Sequence, residues 1–286
     1  MNARTDPSIL AFPTVDYATI PSGTRVPYVA CGSGEPLFFV HGSLCDYRYW
    51  NSQMSVLSQH FFCVSMSLSH YWPAGDPSVH EEFSWKTHVD ELAEFIVSMG
   101  LGPVHLVGHS RGGCVAFHLA RQYPALVKTL TLADPGGPLQ IDGLPEAAVP
   151  AATSAVRARV ADLIDSGAVE AGLELFVDSV SMPGIWRKSP SGFRAMATDN
   201  AATLPKQFRD PLPAYSHRAA SDVKCRTLLI AGEKSPRMYR DNVEKLAEWI
   251  ERAEKQSVPA ASHGMNVTHP GVFNRLIQAF VTSEAG

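Results

Sequence analysis

The stretch VHLVGHSRGG, residues 104–113, decides the fold of this chain. An apolar run ends at Gly108, and a helix is predicted to begin after Ser110. A turn this tight forces the serine into a strained backbone conformation and requires small residues on both sides, which Gly108 and Gly112 provide. The pattern G-x-S-x-G between a strand and a helix therefore predicts a serine hydroxyl raised above the edge of a sheet.

Strands and helices are predicted to alternate along the rest of the chain. Strands are expected at Asp16–Ile20, Val26–Cys31, Leu37–Val40, Phe61–Met66, Pro103–Val107, Lys128–Ala133, Arg226–Ala231 and Gln256–Ala260. Helices are expected at Trp85–Met99, Arg111–Tyr123, Asp241–Ala253 and Pro270–Thr282. This order favours the α/β class, with a mostly parallel, doubly wound sheet of about eight strands.

One long stretch, from Pro135 to Ser221, interrupts the alternation because it holds no convincing strand. Helical patterns occur at Ala151–Ser166 and Val169–Val180, and several prolines punctuate the stretch. Its large apolar residues need burial, which argues against a disordered loop. We predict that residues 135–221 form a helical cap inserted into a core made of residues 1–134 and 222–286.

Composition limits the partners and the compartment of the protein. The chain has 24 Lys and Arg against 28 Asp and Glu, so no nucleic-acid partner is expected. Its five cysteines form no CxxC pair or Cys/His cluster, which argues against a disulfide framework or a metal site. No apolar run is long enough for a membrane span, and Pro7 and Pro13 break the amino-terminal apolar patch. We therefore expect a cytoplasmic protein without membrane contact.

At these motifs the sequence resembles the α/β-hydrolase superfamily, over about Glu35–Asp134 and Asp222–Phe280. The resemblance implies that Ser110 is a nucleophile. The backbone N–H of Arg111, at a helix N-terminus, is placed to stabilise an oxyanion. His41-Gly42-Ser43 is similar to the family's oxyanion loop, in which the residue after the glycine, here Ser43, supplies the second N–H donor.

The resemblance also implies a catalytic base and an acid. His263, in the segment after the last strand, stands where the family carries its base, and His269 is assigned instead to the start of the final helix. Ser235 occupies the usual position of the acid and cannot carry its charge. Asp134, at the end of the strand that follows the elbow helix, is the preferred acid, with Glu233 as the alternative.

Several side chains are candidates for substrate binding. In fluoroacetate dehalogenases, which resemble this elbow, an arginine after the nucleophile holds a substrate carboxylate. We therefore expect Arg111 to contact an acidic or carbonyl-rich substrate, unless it pairs with a carboxylate of the cap. His41, Tyr71 and Trp186 are further candidates. Because Ser110 replaces the aspartate of those enzymes, dehalogenation and epoxide opening are disfavoured.

These residues together predict a serine hydrolase. It would cleave an ester, thioester or lactone of a small molecule through an acyl-enzyme on Ser110, with no cofactor or metal. The alternatives are a carbon–carbon bond hydrolase of a diketone-like substrate, a biosynthetic cyclase or transferase, and a ligand receptor. A homodimer is left open.

Overall fold

A computed structural model describes residues 14–73 and 83–283 of the protein. Residues 1–13, which include the prolines used above to argue against a signal peptide, lie outside the described residues. Within the described ranges, no helix has both the length and the apolar character required to cross a membrane.

The described ranges contain ten strands, eight of which form one sheet. The ten strands are β1 (Asp16–Thr19), β2 (Arg25–Cys31), β3 (Pro36–Val40), β4 (Phe62–Met66), β5 (Val104–His109), β6 (Val127–Ala133), β7 (Leu139–Gln140), β8 (Tyr215–Ser216), β9 (Arg226–Gly232) and β10 (Ala253–Val258). The sheet order is β1-β2-β4-β3-β5-β6-β9-β10, with antiparallel pairing at β1/β2 and β2/β4 and parallel pairing elsewhere. The predicted α/β class with a mostly parallel sheet is confirmed.

Helices surround the sheet and fill the predicted insertion. They are α1 (Asn51–Leu57), α2 (Trp85–Met99), α3 (Arg111–Gln122), α4 (Ala151–Asp165), α5 (Val169–Val180), α6 (Ile185–Lys188), α7 (Ser191–Asp199), α8 (Thr203–Arg209), α9 (His217–Ser221), α10 (Arg237–Trp249), α11 (Met265–Thr268) and α12 (Pro270–Thr282). Two apolar clusters lie on the sheet, one containing residues of α2, α3 and α10 and the other residues of α1 and α12.

The chain between β6 and β9 contains helices α4 to α8 and the short parallel pair β7/β8. A third apolar cluster holds these helices together and includes Val160, Leu173, Trp186 and Leu204, with Leu44 from the loop after β3. At the end of the insertion, Tyr215 packs edge-on against Phe117 of α3, at 5.0 Å between ring centroids. Through Leu44, the loop after β3, next to the predicted nucleophile, packs directly against helices of this segment.

The edge strand β10 begins and ends earlier than the sequence predicts. Its residues 254–257 are polar and exposed, whereas Ala253 is half-buried and Val258 is buried. An edge strand pairs on one side only, so its sequence lacks the apolar run that marks the central strands. Helix α10 also begins before its predicted start, directly after Pro236, and this brings Tyr239 into its first turn.

His118 is a buried histidine that the core holds in its neutral form. Its ring packs against Trp85 at 4.7 Å between centroids, and neither ring nitrogen has a hydrogen-bond partner in the described part of the chain. Burial lowers the pKa of His118 to about 4, from an ordinary value of 6.5. The unfolded chain therefore binds more protons than the folded chain as the pH falls from about 6.5 towards 4.

Because the folded chain resists protonation of His118, we predict that lowering the pH reduces the unfolding free energy of His118→Leu less than that of the wild type. The stability attributable to the neutral ring is present above pH 6.5 and is lost as the pH falls towards 4. Between pH 7.5 and 5 the wild type should lose up to about 2 kcal/mol more unfolding free energy than His118→Leu. Urea unfolding at the two pH values measures the difference. The matched control is exposed His60→Leu, which should lose as much as the wild type; equal losses in all three proteins would contradict the prediction.

Candidate active site

Ser110 stands at the sharp turn between β5 and α3, with φ 54° and ψ −121°. This conformation is strained for a residue with a side chain. The turn is tight because a Cβ at Gly112 would lie 2.2 Å from the carbonyl oxygen of His41, and a Cβ at Gly108 would lie 2.5 Å from that of Gly112. Only glycine fits at these two positions, which explains the pattern G-x-S-x-G.

Asp134 and His263 meet next to this turn. Nδ1 of His263 lies 3.1 Å from Oδ2 of Asp134, which has no solvent exposure. Asp134 follows β6 directly and has φ 41°, and its backbone N–H donates to the carbonyl of Ile230 in the neighbouring strand at 2.8 Å. A buried carboxylate requires hydrogen-bond donors. Ser235 supplies one, since its hydroxyl donates to the same Oδ2 at 2.5 Å.

The imidazole of His263 is enclosed by two other rings. Tyr239 stacks on it with 4.0 Å between centroids and 22° between planes. The ring of His109 lies 4.5 Å away on centroids, and its Nε2–H donates to the carbonyl oxygen of His263 at 2.8 Å. Because His109 immediately precedes Ser110, this hydrogen bond connects the backbone of His263 to the turn that carries Ser110.

Tyr239 is a site residue that the sequence does not reveal. Burial raises the pKa of its hydroxyl, the charge of Asp134 raises the pKa further, and a hydrogen bond with the Ser110 side chain opposes both effects. Tyr239 thus contacts the proposed nucleophile and stacks on the proposed base. The prediction that this helix begins at Asp241 left the residue outside any element, and the contact arises only from packing across the fold.

The two candidate acids have different partners. Glu233 is exposed, and its carboxylate accepts a hydrogen bond from the backbone N–H of Ala260 at 2.7 Å. It therefore supports the turn after β10. Asp134 is the candidate that the structure brings to His263.

The predicted oxyanion loop lies against Ser110. A Cβ at Gly42 would lie 2.9 Å from the Cβ of Ser110, so the backbone of this loop approaches the serine closely. The hydroxyl of Ser43 donates to Oε1 of Gln207 in α8 at 2.9 Å, which links the loop to the inserted helices. Arg111 is the first residue of α3, and its N–H has no acceptor within the helix.

The further candidates for substrate binding, His41, Tyr71 and Trp186, are buried and have partners inside the protein. His41 is fully buried, Nδ1–H donates to the carbonyl of Gly42 at 2.8 Å, and Nε2 accepts from the N–H of Leu68 at 3.0 Å. Burial lowers the pKa of His41 to about 4, so the ring is a neutral structural group.

Tyr71 and Trp186 are both 1% exposed and have partners inside the protein. The hydroxyl of Tyr71 donates to Gln207 at 3.3 Å, and Nε1–H of Trp186 donates to Glu170 at 3.0 Å. Both side chains therefore pack in the interior of the described part of the chain.

The side chain of Arg111 is held by the insertion. Nη2 lies 2.6 Å from Oδ2 of Asp210, and the guanidinium lies 4.7 Å from the ring centroid of Phe83. Only 3% of the Arg111 side chain is exposed. The pairing with a cap carboxylate, which the sequence left as the alternative to a substrate contact, is the arrangement found. In residues 14–73 and 83–283, no group of three or more His, Cys, Asp or Glu is placed to hold a metal ion.

Comparisons with known proteins agree on one family. A family model described as "Alpha/beta hydrolase family" matches residues 37–276. Epoxide hydrolase 3 of Mus musculus is 23% identical over 93% of this chain and 76% of its own length. The (E)-2-((N-methylformamido)methylene)succinate hydrolase of Acinetobacter baylyi is 23% identical over 89% of this chain and 93% of its own. The solved structure of a thermophilic esterase from Thermogutta terrifontis matches with a TM-score of 0.74 at 20% identity, over 94% of this chain and 98% of that chain.

The packing of the elbow predicts that Gly112→Ala destabilises the fold. Alanine is normally favoured over glycine in a helix by about 1 kcal/mol, but here its methyl group would collide with the carbonyl of His41. We expect the unfolding free energy to fall by more than about 2 kcal/mol, measured by urea unfolding. Gly192→Ala in α7 is the matched control, since a Cβ there meets no atom within 4 Å. Equal stability of the two variants would show that the turn is less tight than described.

Proposed function

Since this chain belongs to the α/β-hydrolase family, we propose that it cleaves an ester, thioester or lactone bond of a small molecule through an acyl-enzyme on Ser110. The observation that carries the proposal is the hydrogen bond of His263 to the buried Asp134, beside a serine in a strained turn. An oriented imidazole next to a serine hydroxyl is the arrangement that acyl transfer needs.

The first step is attack of the Ser110 hydroxyl on the carbonyl carbon of the substrate. Asp134 accepts a hydrogen bond from Nδ1–H of His263, which leaves Nε2 free to take the proton of Ser110. The carboxylate also stabilises the imidazolium that results. This step requires the Ser110 hydroxyl to point towards Nε2 of His263.

The backbone N–H groups of Ser43 and Arg111 stabilise the negative charge that develops on the carbonyl oxygen. One donor of this kind contributes about 3 kcal/mol to a transition state. His263 then protonates the leaving group as the tetrahedral intermediate collapses to the acyl-enzyme. In the second half-reaction, His263 activates a water molecule that attacks the acyl carbon and releases Ser110.

The proposed nucleophile bears on which reaction this chain catalyses. Opening an epoxide through a covalent intermediate requires a carboxylate that forms an alkyl ester. Ser110 stands at the elbow here, which favours acyl transfer over the activity for which the mouse relative is named. The names of the Thermogutta esterase and of the Acinetobacter hydrolase, which acts on a small succinate derivative, support a small-molecule substrate.

Substitution of the serine tests the proposal. We expect Ser110→Ala to lower kcat/KM for p-nitrophenyl butyrate by at least about 1,000-fold, because removal of the nucleophile abolishes the acyl-enzyme route. Exposed Ser55→Ala, in α1, is the matched control and should retain the activity. A fluorophosphonate should modify the wild type at Ser110, as read by peptide mass, and should leave Ser110→Ala unmodified. Retained activity in Ser110→Ala, or modification at another residue, would refute the proposal.

A further inference from the structure

Arg157 is a half-buried cation that has no acidic partner in the part of the chain that the structure describes. Its guanidinium lies 5.7 Å from the ring centroid of Phe208 in α8, and no Asp or Glu of the described residues lies within ion-pair distance of it. Arg111 differs in having Asp210 at 2.6 Å. A cation that loses hydration without gaining a carboxylate is unfavourable, so such residues are usually paired.

The position of Arg157 on α4 explains why it points inward. Val160 and Ile164 follow it at spacings of three and seven residues, and both are buried in the cluster of the inserted helices. Residues at this spacing share one helix face. Arg159, two positions along, is exposed. The charge therefore stands on the face of α4 that packs inward, where an apolar side chain is the ordinary choice.

The contacts of Arg157 place it near the loop beside Ser110. The ring that its guanidinium covers, Phe208, directly follows Gln207, which accepts a hydrogen bond from the hydroxyl of Ser43. Burial lowers its pKa, the largest effect, while Tyr239 raises the pKa and Arg111 lowers it. Tyr239 contacts Ser110 and stacks on His263, and Arg111 directly follows the nucleophile. The unpaired guanidinium thus stands on the cap side of the elbow, within electrostatic reach of residues that surround the serine.

We propose that Arg157 binds a carboxylate of the substrate, so that the preferred substrate is an ester, thioester or lactone that carries a second, anionic group. The planar guanidinium can hold a carboxylate through two parallel hydrogen bonds. The substrate would supply the counter-ion that Arg157 does not find among the described residues. This inference rests on the proposed function for the position of the scissile bond, but binding of the anion is independent of catalysis.

Two esters of similar size test the assignment: the p-nitrophenyl monoester of glutaric acid, which carries a carboxylate, and neutral p-nitrophenyl pentanoate. We expect Arg157→Gln to lower kcat/KM for the glutarate ester by about 10- to 100-fold, and to leave the pentanoate within about 2-fold. Arg157→Lys keeps the charge but lacks the planar guanidinium. Its kcat/KM for the glutarate ester should lie between the values of the wild type and of Arg157→Gln. Arg159→Gln on the same helix is the matched control and should match the wild type on both esters.

A measurement without turnover separates this inference from the proposed function. Glutarate should raise the Tm of Ser110→Ala, and neutral glutaramide should not. Adding Arg157→Gln to Ser110→Ala should abolish this rise in Tm, whereas adding Arg159→Gln should leave it unchanged. If the wild type hydrolyses neither ester, the proposed function fails, while the Tm series still reports on Arg157. Equal loss on both esters in Arg157→Gln, or an equal Tm rise with and without Arg157, would overturn the inference.

Discussion

The hydrogen bond between Nδ1 of His263 and Oδ2 of Asp134 is the interaction on which the account of this site depends. It joins side chains 129 residues apart, and the sheet makes it possible. Parallel strands β5 and β6 end at the same edge, so the residue after β6 lies beside the turn after β5. The carboxylate has no solvent exposure, and a buried charge of this kind is costly unless donors surround it. The histidine and the carboxylate therefore hold each other in place.

Ser235 donates a hydrogen bond to the carboxylate of Asp134. The position after β9 at which the family's usual acid is expected holds a hydroxyl, and this hydroxyl donates to Asp134 at 2.5 Å. The same oxygen thus receives hydrogen bonds from the serine and from the imidazole. We infer that Ser235 fixes the orientation of the carboxylate. The negative charge is carried by Asp134, at the end of the neighbouring strand β6. The backbone of Asp134, with its left-handed φ of 41°, is held by the hydrogen bond to Ile230.

Much of the fold could be predicted because its central strands are short apolar runs bounded by glycine, proline or polar residues. The elbow was recognisable since only small residues fit around Ser110, a constraint that is local in sequence. The polar edge strand β10 was displaced in the prediction because it is paired on one side only and carries no apolar run. His263 was predicted from its position after the last strand. Asp134 was predicted from its position at the end of the strand that follows the elbow helix.

The contacts that could not be predicted are those made by packing across the fold. Nothing in the local sequence of Tyr239 distinguishes it from a surface residue of a polar helix, yet it stacks on His263. His41 was a candidate for substrate binding, whereas in the structure both its ring nitrogens bind backbone groups. Arg157 stands out only when the absence of an acid around it is known for the described residues. These are long-range properties, which a pattern of residue types does not encode.

The tautomer of His263 tests the central claim most directly. In the neutral imidazole, a hydrogen bond to Asp134 requires the proton on Nδ1 and leaves Nε2 free. Nitrogen NMR of protein labelled with ¹⁵N-histidine, with the His263 signals assigned through His263→Gln, reports which nitrogen carries the proton. The account predicts the Nδ1–H form in the wild type and in Glu233→Gln, and its loss in Asp134→Asn. A wild-type ring protonated on Nε2, or a tautomer that changes in Glu233→Gln and not in Asp134→Asn, would contradict it.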